Sequence, residues 1–543
     1  MIRGATISEA LLATVDRGEG EYVFHLEDGI VRLSCAELAE RARLGAKRLL
    51  ALGVEPGDAV AVLGPNRPEW VVSAFSIWLA GAVLVPVQKR LRVRDPAAFR
   101  EQLDSLLSVA GCRLALADPT LASLLPDGVG VSWDGAGETS AEEPVAPAPA
   151  NAAVIQFTSG STSTPRGALV THAAAMAQAE ILDELIVNGD GYRDSIGWVP
   201  FFHDLGLFLN VLPAAVWGLT SHHLPTERFA RDPAEWLRLA ARTRVAQTIT
   251  PASGLGNALS ALARRSERVD LGALEAVRFA AEGVDPNVLR QLSEAETRLN
   301  LRPEALGSSY GMAEVALAVT YSAPGSGLRR ERISIDALAT DGVAAPAGRG
   351  PSRLLVACGA PKMELRIHGP GGEGEGEGDL PERHVGEILL RGPSTMSHYV
   401  GPGAPDPFRD GWLRTGDLGY MADGQLYVTG RVKDMVIVMG DNYYPEDFEW
   451  AAGRVEGVRP GRCVAFTRPG TDEVVVLVEP VGDGDPGALA ISVKNAGADA
   501  VGVPPSEVVV LAPGTVDKTT SGKLRRATMR ERYLSGTLEA VPA

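Results

Sequence analysis

The stretch at residues 152–172 constrains this chain more than any other part of the sequence. It begins with a short apolar run at residues 152–157, which is typical of a buried strand. Small or hydroxylated residues then fill positions 158–163 and lead into Thr164, Pro165, Arg166 and Gly167. A loop with so little bulk lets backbone N–H groups approach a polyphosphate, to which the hydroxyls and one arginine add donors. The alternative is a solvated turn, and the Walker spacing of other phosphate loops does not occur here.

The length of the chain indicates several domains, and its net charge limits the partners it can bind. The chain has 543 residues, which is too long for one hydrophobic core and predicts at least two domains. Its formal net charge of −16 argues against non-specific binding to nucleic acid and against docking on an anionic membrane. Scattered cysteines without C-x-x-C spacing favour reduced thiols in a cytoplasmic protein over disulfides or a zinc site. They are Cys35, Cys112, Cys358 and Cys463.

One uncharged stretch, residues 70–87, has the length of a membrane span. Gly81 and Pro86 interrupt it, and its second half is rich in β-branched residues. We therefore predict a buried helix over residues 69–80, a turn at Gly81 and a strand over residues 83–87, rather than a membrane span. The N-terminus also lacks the apolar core of a signal peptide.

Strand-like and helix-like patterns alternate through most of the chain and predict an α/β fold with parallel sheets covered by helices. The helical pattern at residues 36–52, for example, is followed by a strand pattern at residues 59–63. Short strands separated by turn residues at 354–427 predict a smaller β-rich subdomain. Further strands and helices beyond Gly430 predict a small, mobile α+β domain. The predicted domains are therefore a large N-terminal domain, residues 1–430, and a C-terminal domain, residues 431–543.

Five spaced stretches follow one another along the chain and form one pattern. They lie at residues 159–167, 198–207, 309–314, 415–424 with 430–449, and 518–526. Their order and spacing resemble the adenylate-forming superfamily, which contains acyl-CoA synthetases, luciferases and the adenylation domains of peptide synthetases. The resemblance covers nearly the whole chain, and five collinear matches are far more specific than any one of them.

Finer features resemble one branch of that superfamily, the fatty acyl-AMP ligases. They are the HDLGL run at residues 203–207, the NYYPEDFE run at residues 442–449 and a stretch at residues 321–353 in the position of that branch's insertion. Such an insertion is thought to hinder the domain movement that transfer to coenzyme A requires. The chain departs from the branch at residues 250–254, where fatty-acyl relatives usually carry an aromatic residue. The alternative that the substrate is a non-fatty carboxylic acid therefore stays open.

The resemblance implies a binding site for ATP. Tyr310 would stack on adenine, Ala281 and Glu282 would line it, and the loop at residues 158–162 would cradle the β- and γ-phosphates. Asp417 would accept hydrogen bonds from the ribose hydroxyls, and Arg431 would reach the ribose or a phosphate. The remaining implied contacts are Thr158, Ser159, Gly160, Ser161 and Thr162 in the loop, and Ser309, Gly311, Met312 and Ala313 around the α-phosphate.

The same resemblance implies the residues that would act on the acid. Lys523 would place its ammonium between the substrate carboxylate and the α-phosphate, where two anions meet. Glu314 would hold Mg²⁺, because a cation that bridges phosphates prefers carboxylate oxygen. His203 would gate the carboxylate site or pack beside it, and Lys433 would be the hinge between the domains. The implied acyl pocket contains Phe201, Phe202, Leu207, Phe208 and Gly254.

These implications predict an ATP-dependent ligase that converts a carboxylic acid, fatty or similarly hydrophobic, to an acyl-adenylate with release of pyrophosphate. The acyl group would then pass to the phosphopantetheine of an acyl carrier protein supplied in trans, because no residues remain for a fused carrier domain. Candidates for docking that acidic partner are Arg454, Arg459 and Arg462, or Arg525 and Arg526. The alternatives are an acyl-CoA or aryl-CoA ligase of the same superfamily and, more distantly, a catalytically silent nucleotide-binding scaffold.

Overall fold

The computed structural model describes residues 2–89, 96–126, 128–133, 139–157, 165–187, 194–369, 378–482, 484–518 and 523–541. Its helices are α1 (Ile7–Asp16), α2 (Cys35–Ala51), α3 (Pro68–Leu79), α4 (Pro96–Ala110), α5 (His172–Val187), α6 (Asp204–Gly206), α7 (Leu212–Trp217), α8 (Thr226–Arg231), α9 (Ala234–Thr243), α10 (Ala252–Arg264), α11 (Pro286–Leu299), α12 (Ile335–Asp341), α13 (Pro445–Ala452), α14 (Pro486–Val501) and α15 (Arg526–Leu534). Its strands are β1 (Glu21–Leu26), β2 (Gly29–Ser34), β3 (Ala59–Leu63), β4 (Val83–Pro86), β5 (Leu114–Ala117), β6 (Gly130–Ser132), β7 (Ala152–Phe157), β8 (Gly167–Thr171), β9 (Asp194–Gly197), β10 (Thr220–His223), β11 (Gln247–Thr250), β12 (Ala276–Phe279), β13 (Leu306–Gly311), β14 (Ala318–Tyr321), β15 (Arg330–Ser334), β16 (Ser352–Val356), β17 (Ala360–Pro361), β18 (Glu364–His368), β19 (Gly386–Arg391), β20 (Tyr399–Val400), β21 (Phe408–Arg409), β22 (Trp412–Ala422), β23 (Gln425–Arg431), β24 (Val436–Val438), β25 (Asp441–Tyr443), β26 (Val458–Thr467), β27 (Val474–Pro480) and β28 (Glu507–Val510).

The chain divides into two compact units, each assembled from segments that are distant in sequence. The first unit comprises Met1–Ala281, Ala295–Gly327 and Gly392–Pro407, and the second comprises Glu282–Glu294, Leu328–Arg391 and Phe408–Ala543. The boundary after Gly430 that the sequence predicts between a large domain and a mobile lid stays a prediction.

The first unit contains two large sheets in which parallel pairing predominates. One has the strand order β14-β13-β12-β11-β9-β10-β1-β2, with β2 and β14 antiparallel to their neighbours. The other has the order β20-β8-β7-β4-β3-β5-β6, with β8 antiparallel to both of its neighbours. Apolar residues of α4 pack on β3, β4 and β5 to form a buried core. This architecture confirms the predicted α/β fold with parallel sheets.

The uncharged stretch at residues 70–87 folds as predicted, into the buried helix α3 and the buried strand β4. Gly81, just beyond the helix, has a φ of 71°, a left-handed conformation that glycine adopts readily. Trp70 and Trp78 of α3 are fully buried, and the Trp78 indole N–H donates to the carbonyl of Ala153 over 2.9 Å. Among the described residues, none of the helices combines the length and the apolar character that a bilayer crossing demands.

The second unit is rich in antiparallel strands and contains the predicted β-rich subdomain. One sheet has the order β18-β19-β22-β21, with β23 beside β22, and another has the order β26-β27-β28. The sequence reasoning did not find β22. The reason is that its central residues, Arg414, Thr415, Gly416 and Asp417, interrupt the apolar alternation by which strands are recognised.

All four cysteines are free thiols. Burial raises the pKa values of Cys35 and Cys112 to about 12, so both thiols stay protonated and unreactive near neutral pH. This agrees with the reduced cysteines that the sequence predicts.

Buried histidines make the first unit sensitive to acid. The ring of His223 on β10 packs against Phe24 and Phe201, with centroids 4.9 and 5.1 Å away. Burial lowers the pKa of His223 to about 3 and the pKa values of His25 and His172 to about 4, from an ordinary value of 6.5. Below pH 6.5 these histidines therefore bind protons in the unfolded chain but not in the folded chain. As the pH decreases from 6.5 towards 4, the free energy of unfolding therefore decreases.

We expect His223→Phe to make this acid sensitivity weaker, because the aromatic replacement cannot take up a proton when the chain unfolds. Between pH 6.5 and 4, the slope of unfolding free energy against pH should decrease by up to about 1.4 kcal/mol per pH unit. Urea unfolding at several pH values in this window measures the slope, with the exposed His398→Gln as control. Equal slopes for His223→Phe and the wild type would contradict the account.

Candidate active site

The predicted phosphate loop connects two paired strands of the first unit. Residues 158–162 lie outside the described residues, so their contacts to phosphate stay predictions. On either side of the loop, Phe157 at the end of β7 pairs with Gly167 at the start of β8. A Cβ at Gly167 would lie 2.5 Å from Ile155 and 2.8 Å from Val400. Glycine is therefore required where the chain leaves the loop.

The ends of two neighbouring strands carry the residues predicted to line adenine. Tyr310 lies near the end of β13, and the hydroxyl of Ser309 donates to the carbonyl of Phe279 at the end of β12 over 3.2 Å. Ala281, two residues beyond β12, has a φ of 71°. This left-handed conformation is costly for a residue with a Cβ and is characteristic of functional turns. These residues belong to the first unit, whereas Glu282 belongs to the second.

A tight turn joins β13 to β14 and contains the residues predicted for the α-phosphate. The N–H of Met312 donates to the carbonyl of Leu317 over 2.8 Å. A Cβ at Gly311 would lie 1.7 Å from the same carbonyl oxygen, so only glycine fits there. Ala313 begins the 3-10 turn Ala313–Val315, which directs Glu314 into the interior, where it is 7% exposed.

Glu314 is held by Tyr399, a residue that the sequence reasoning did not select. The Tyr399 hydroxyl donates to Oε1 of Glu314 over 2.6 Å, and the N–H of Met396 donates to the Glu314 carbonyl over 2.7 Å. Tyr399 lies on β20 and pairs with Ala168 of β8, the strand that follows the predicted phosphate loop. The side-chain contact spans 85 residues, so no local pattern could have revealed it. It leaves a buried, oriented carboxylate beside the exit of the predicted phosphate loop.

His203 begins the helical segment that borders the predicted acyl pocket. It caps α6, where its Nδ1 accepts a hydrogen bond from the N–H of Leu205 at 3.3 Å and contacts the carboxylate of Asp204. The segment continues into a π-helical turn, Leu207–Val211, and then into α7. Such turns are frequent at functional sites. His203 thus has a structural role as a cap, and its gating role stays a prediction.

The residues predicted to form the acyl pocket are all buried. Phe201 packs against Trp70, Phe24 and His223, as a core aromatic does. Phe202, Leu207 and Phe208 are likewise at most 9% exposed. A small pocket lies beside the π-helical turn, and its lining includes Leu209, Asn210, Ser195, Thr248 and Arg278. The assignment of the five predicted residues to the acyl pocket stays a prediction.

Gly254 lies against an aromatic side chain. A Cβ at Gly254 would lie 2.5 Å from the indole of Trp198 and 2.6 Å from the hydroxyl of Thr250. Trp198 is 4% exposed and stacks on Phe229 with ring centroids 3.5 Å apart. The glycine at residue 254 of α10 therefore leaves room for the indole of Trp198.

The second unit brings Asp417 and Arg431 together. They face each other across the antiparallel strands β22 and β23, and Nε of Arg431 lies 2.7 Å from Oδ1 of Asp417. The side chain of Asp417 is 7% exposed and that of Arg431 is 46% exposed. A buried carboxylate that is oriented by a charged hydrogen bond is suited to accept hydrogen bonds from a diol. The two residues that the sequence assigns to the ribose are thus adjacent.

Both predicted lysines lie in this same unit. Lys433 is exposed in the turn Val432–Asp434 directly after β23. Lys523 is half-buried in the segment before α15, and residues 519–522 lie outside the described residues. Glu282 acts on another lysine of the unit, Lys518: burial lowers the pKa of Lys518, and the carboxylate of Glu282 opposes this effect.

Comparison with known proteins decides the family. The profile described as AMP-binding enzyme matches residues 13–400. A protein of Caulobacter vibrioides named putative acyl-CoA synthetase is 32% identical, over 98% of this chain and 96% of its own length. The chain belongs to the AMP-binding enzyme family.

Two further comparisons place this AMP-binding enzyme near acyl-AMP ligases. A long-chain-fatty-acid–AMP ligase of Mycobacterium marinum is 31% identical, over 93% of this chain and 91% of its own length. A solved structure from work on fatty acyl-adenylate ligases of E. coli and L. pneumophila is 29% identical, with a TM-score of 0.88 over 99% of both chains. The resemblance to the adenylate-forming superfamily is confirmed, and the protein is an AMP-forming ligase.

Tyr399→Phe should lower the rate of ATP–pyrophosphate exchange about 10–100-fold, because it removes only the hydroxyl that orients Glu314. Loss of such an orienting group typically costs this much at sites where a carboxylate holds a metal. Tyr533→Phe is the matched control, since its hydroxyl also donates to a carboxylate over 2.6 Å, that of Glu507 in the second unit, and does not contact Glu314. If both variants exchange pyrophosphate at the wild-type rate, the Tyr399 hydroxyl has no part in the reaction.

Proposed function

We propose that this AMP-binding enzyme activates a carboxylic acid, fatty or similarly hydrophobic, with ATP to form an acyl-adenylate and pyrophosphate. We further propose that the acyl group then passes to the phosphopantetheine thiol of an acyl carrier protein in trans. The similarity to acyl-AMP ligases supports the first step. The observation that carries the choice of acceptor is a buried ion pair between Arg353 and Asp447. The cytoplasmic location stays a prediction.

The insertion-like stretch is anchored to residues that follow the predicted hinge. Within the second unit, Ile335 at the start of α12 shares a hydrophobic core with Val436 and Phe448. Residue 335 precedes Lys433 by about a hundred positions, whereas residues 436 and 448 follow it. This core therefore spans the predicted hinge.

Arg353 makes the second and stronger anchor. Its Nε lies 3.1 Å from Oδ1 of Asp447, and its guanidinium stacks on the rings of Tyr444 and Trp450 at 4.7 and 5.3 Å. The two charged side chains are 3% and 5% exposed. Breaking such a buried pair typically costs about 3–5 kcal/mol. Rotation at Lys433 would separate Asp447 from Arg353, so the pair opposes the rotation that transfer to coenzyme A would need.

A carrier protein differs from coenzyme A in the binding free energy that is available to offset the loss of the Arg353–Asp447 pair. Both present the same phosphopantetheine thiol, but only the carrier adds a protein–protein interface, whose binding free energy can offset the loss of the Arg353 contact. An acceptor in trans with a folded surface therefore fits the anchored insertion better than a small-molecule thiol does.

The first half-reaction needs charge neutralisation more than proton transfer. A carboxylate oxygen of the acid attacks the α-phosphorus of ATP, forming a new P–O bond while the bond to pyrophosphate breaks in line. Lys523 would neutralise the two anions as they meet, while Asp417 and Arg431 would fix the ribose. Glu314 would hold Mg²⁺, which when bound would neutralise phosphate charge.

Glu314 fits a Mg²⁺ site that is shared with the nucleotide. Within the described part of the chain, no group of three or more His, Cys, Asp or Glu side chains converges on a metal position. In nucleotide sites Mg²⁺ is usually held by one or two carboxylates together with substrate phosphates and water. One buried carboxylate beside the predicted phosphate loop meets that requirement.

The arginines considered for carrier docking are not equivalent. Arg526 binds Glu449, and Arg459 lies 3.5 Å from the buried carboxylate of Glu479. Arg454 is exposed on the surface of the second unit. An acidic carrier would therefore find Arg454 a more accessible cation than Arg526.

The substrate and acceptor are tested in one assay series. Pyrophosphate release is measured across a library of fatty, hydroxylated and aromatic acids, with detection of acyl-adenylate by mass spectrometry, and coenzyme A or a purified carrier protein is then added. We expect acyl-adenylate to accumulate without an acceptor and to be consumed by a carrier protein but not by coenzyme A. Rapid formation of acyl-CoA would instead favour the second candidate, an acyl-CoA ligase, which the 32% identity to a putative acyl-CoA synthetase supports.

Lys523→Ala should lower acid-dependent pyrophosphate exchange by about 10²–10³-fold, because it removes the cation that offsets charge in the transition state. The dissociation constant for ATP should change by less than about threefold, since the lysine acts on the transferring group. Lys494→Ala on the exposed face of α14 is the matched control. Near-normal exchange in the Lys523 variant would show that another residue supplies this charge.

A further inference from the structure

We propose that Arg526 is a positioning residue for Lys523, an inference that rests on the proposed role of Lys523 in adenylation. Arg526 begins α15 and lies three residues after Lys523. Three residues of extended chain span about 10 Å at most, so an anchor at residue 526 limits where the lysine can go. The anchor itself is a fork of ion pairs within the second unit.

The guanidinium of Arg526 binds Glu449 with two parallel hydrogen bonds. Nε donates to Oε1 and Nη2 donates to Oε2, each over 2.7 Å. Nη2 also lies 2.8 Å from Oε1 of Glu446, and Nη1 lies 3.6 Å from Oδ2 of Asp434. The side chain of Arg526 is 20% exposed and that of Glu449 is 6% exposed. A bidentate pair this well shielded fixes direction as well as distance.

The carboxylates that bind Arg526 are themselves fixed. Glu449 lies on α13, and its Oε1 also accepts a hydrogen bond from the N–H of Ala465 on β26 over 3.1 Å. Asp434 ends the turn Val432–Asp434, next to the predicted hinge residue Lys433. Arg526 therefore ties the start of α15 both to a sheet and to the segment beside the hinge. A lysine anchored in this way moves with that segment as one body.

The other side of the Lys523 segment is closed by backbone contacts. Leu524 forms a β-bridge with Lys518, and the N–H of Arg525 donates to the carbonyl of Asp517 over 3.1 Å. Lys523 thus lies directly before the two residues that pair with residues 517–518, and α15 begins directly after those two. Backbone pairing sets the path of the segment, and Arg526 sets its position against α13.

The chain offers a matched control at the opposite end of α15. Arg468 binds Tyr533, a residue of the last turn, with Nη2 at 2.6 Å from the hydroxyl, and it pairs with Glu507 at 2.6 Å. It therefore fastens the same helix to the same unit without contacting the segment that bears Lys523. A purely structural role for Arg526 would make Arg468→Met and Arg526→Met equivalent.

A double-mutant cycle tests the inference. Arg526→Met should lower kcat for acid-dependent pyrophosphate exchange about 10–100-fold while KM for ATP changes less than about twofold, because a misplaced catalytic group costs rate more than binding. In the Lys523→Ala background, measured with excess enzyme in single turnovers, Arg526→Met should cause no further loss. The same fold-loss in both backgrounds would overturn the proposal.

Two further variants separate positioning from folding. Arg526→Met leaves the buried Glu449 without its counter-charge, so Arg526→Met with Glu449→Met removes both charges and should restore the thermal midpoint. We expect exchange to stay low in that double variant, and to be partly rescued by Arg526→Lys. Arg468→Met should lower the thermal midpoint with kcat unchanged. Recovery of kcat together with the midpoint in the double variant would show that Arg526 acts only on stability.

The outcome for Lys523→Ala alone keeps this inference distinct from the proposed function. If that variant exchanges pyrophosphate normally, the assigned role of the lysine fails and Arg526 has nothing to position. If it loses exchange while Arg526→Met acts additively, the proposed function stands and the positioning role fails.

Discussion

Two arginines bound to the carboxylates of α13 are the interaction on which the second unit depends. Arg353 pairs with Asp447, and Arg526 pairs with Glu449. Burial raises the pKa of Asp447 to about 6 although Arg353 opposes this, and it raises the pKa of Glu449 although Arg526 opposes this. Such pairs are costly to assemble and costly to break, so their value lies in a defined geometry more than in added stability. The insertion-like stretch, the segment beside the predicted hinge and the tail that carries Lys523 are therefore all bound to α13.

The first unit places its candidate residues where strands end. The predicted phosphate loop joins β7 to β8. Of the residues assigned to adenine, Ala281 follows β12 and Tyr310 lies near the end of β13. Ligands of parallel α/β sheets commonly lie beyond the carboxyl ends of the strands, where loops diverge and backbone groups become accessible. Close approach then depends on glycine at positions such as 167 and 311, where a Cβ would overlap neighbouring atoms. Tyr399 completes the arrangement by holding the carboxylate of Glu314 beside β8.

Sequence patterns correctly predicted the strands that are buried on both faces. The apolar runs at residues 59–63 and 152–157 coincide with β3 and β7, because a continuous apolar run between turn residues signals a strand covered on both faces. The same reasoning missed β22, whose polar centre is explained by the pairing of Asp417 with Arg431 and not by a hydrophobic face. Motif resemblance could bring Asp417 and Arg431 to one site. It could not find the contacts of Tyr399 or Arg526, since side-chain pairs far apart in sequence leave no periodic signal.

We propose that Asp417, Arg431 and Lys523 of the second unit bind one acyl-adenylate. The most direct test is a crystal structure with a non-hydrolysable acyl-sulfamoyl-adenosine, which mimics that intermediate. We expect the ribose on Asp417 and Arg431 and the sulfamoyl group beside the ammonium of Lys523. An analogue bound away from these residues, or a Lys523 side chain directed away from the sulfamoyl group, would contradict it.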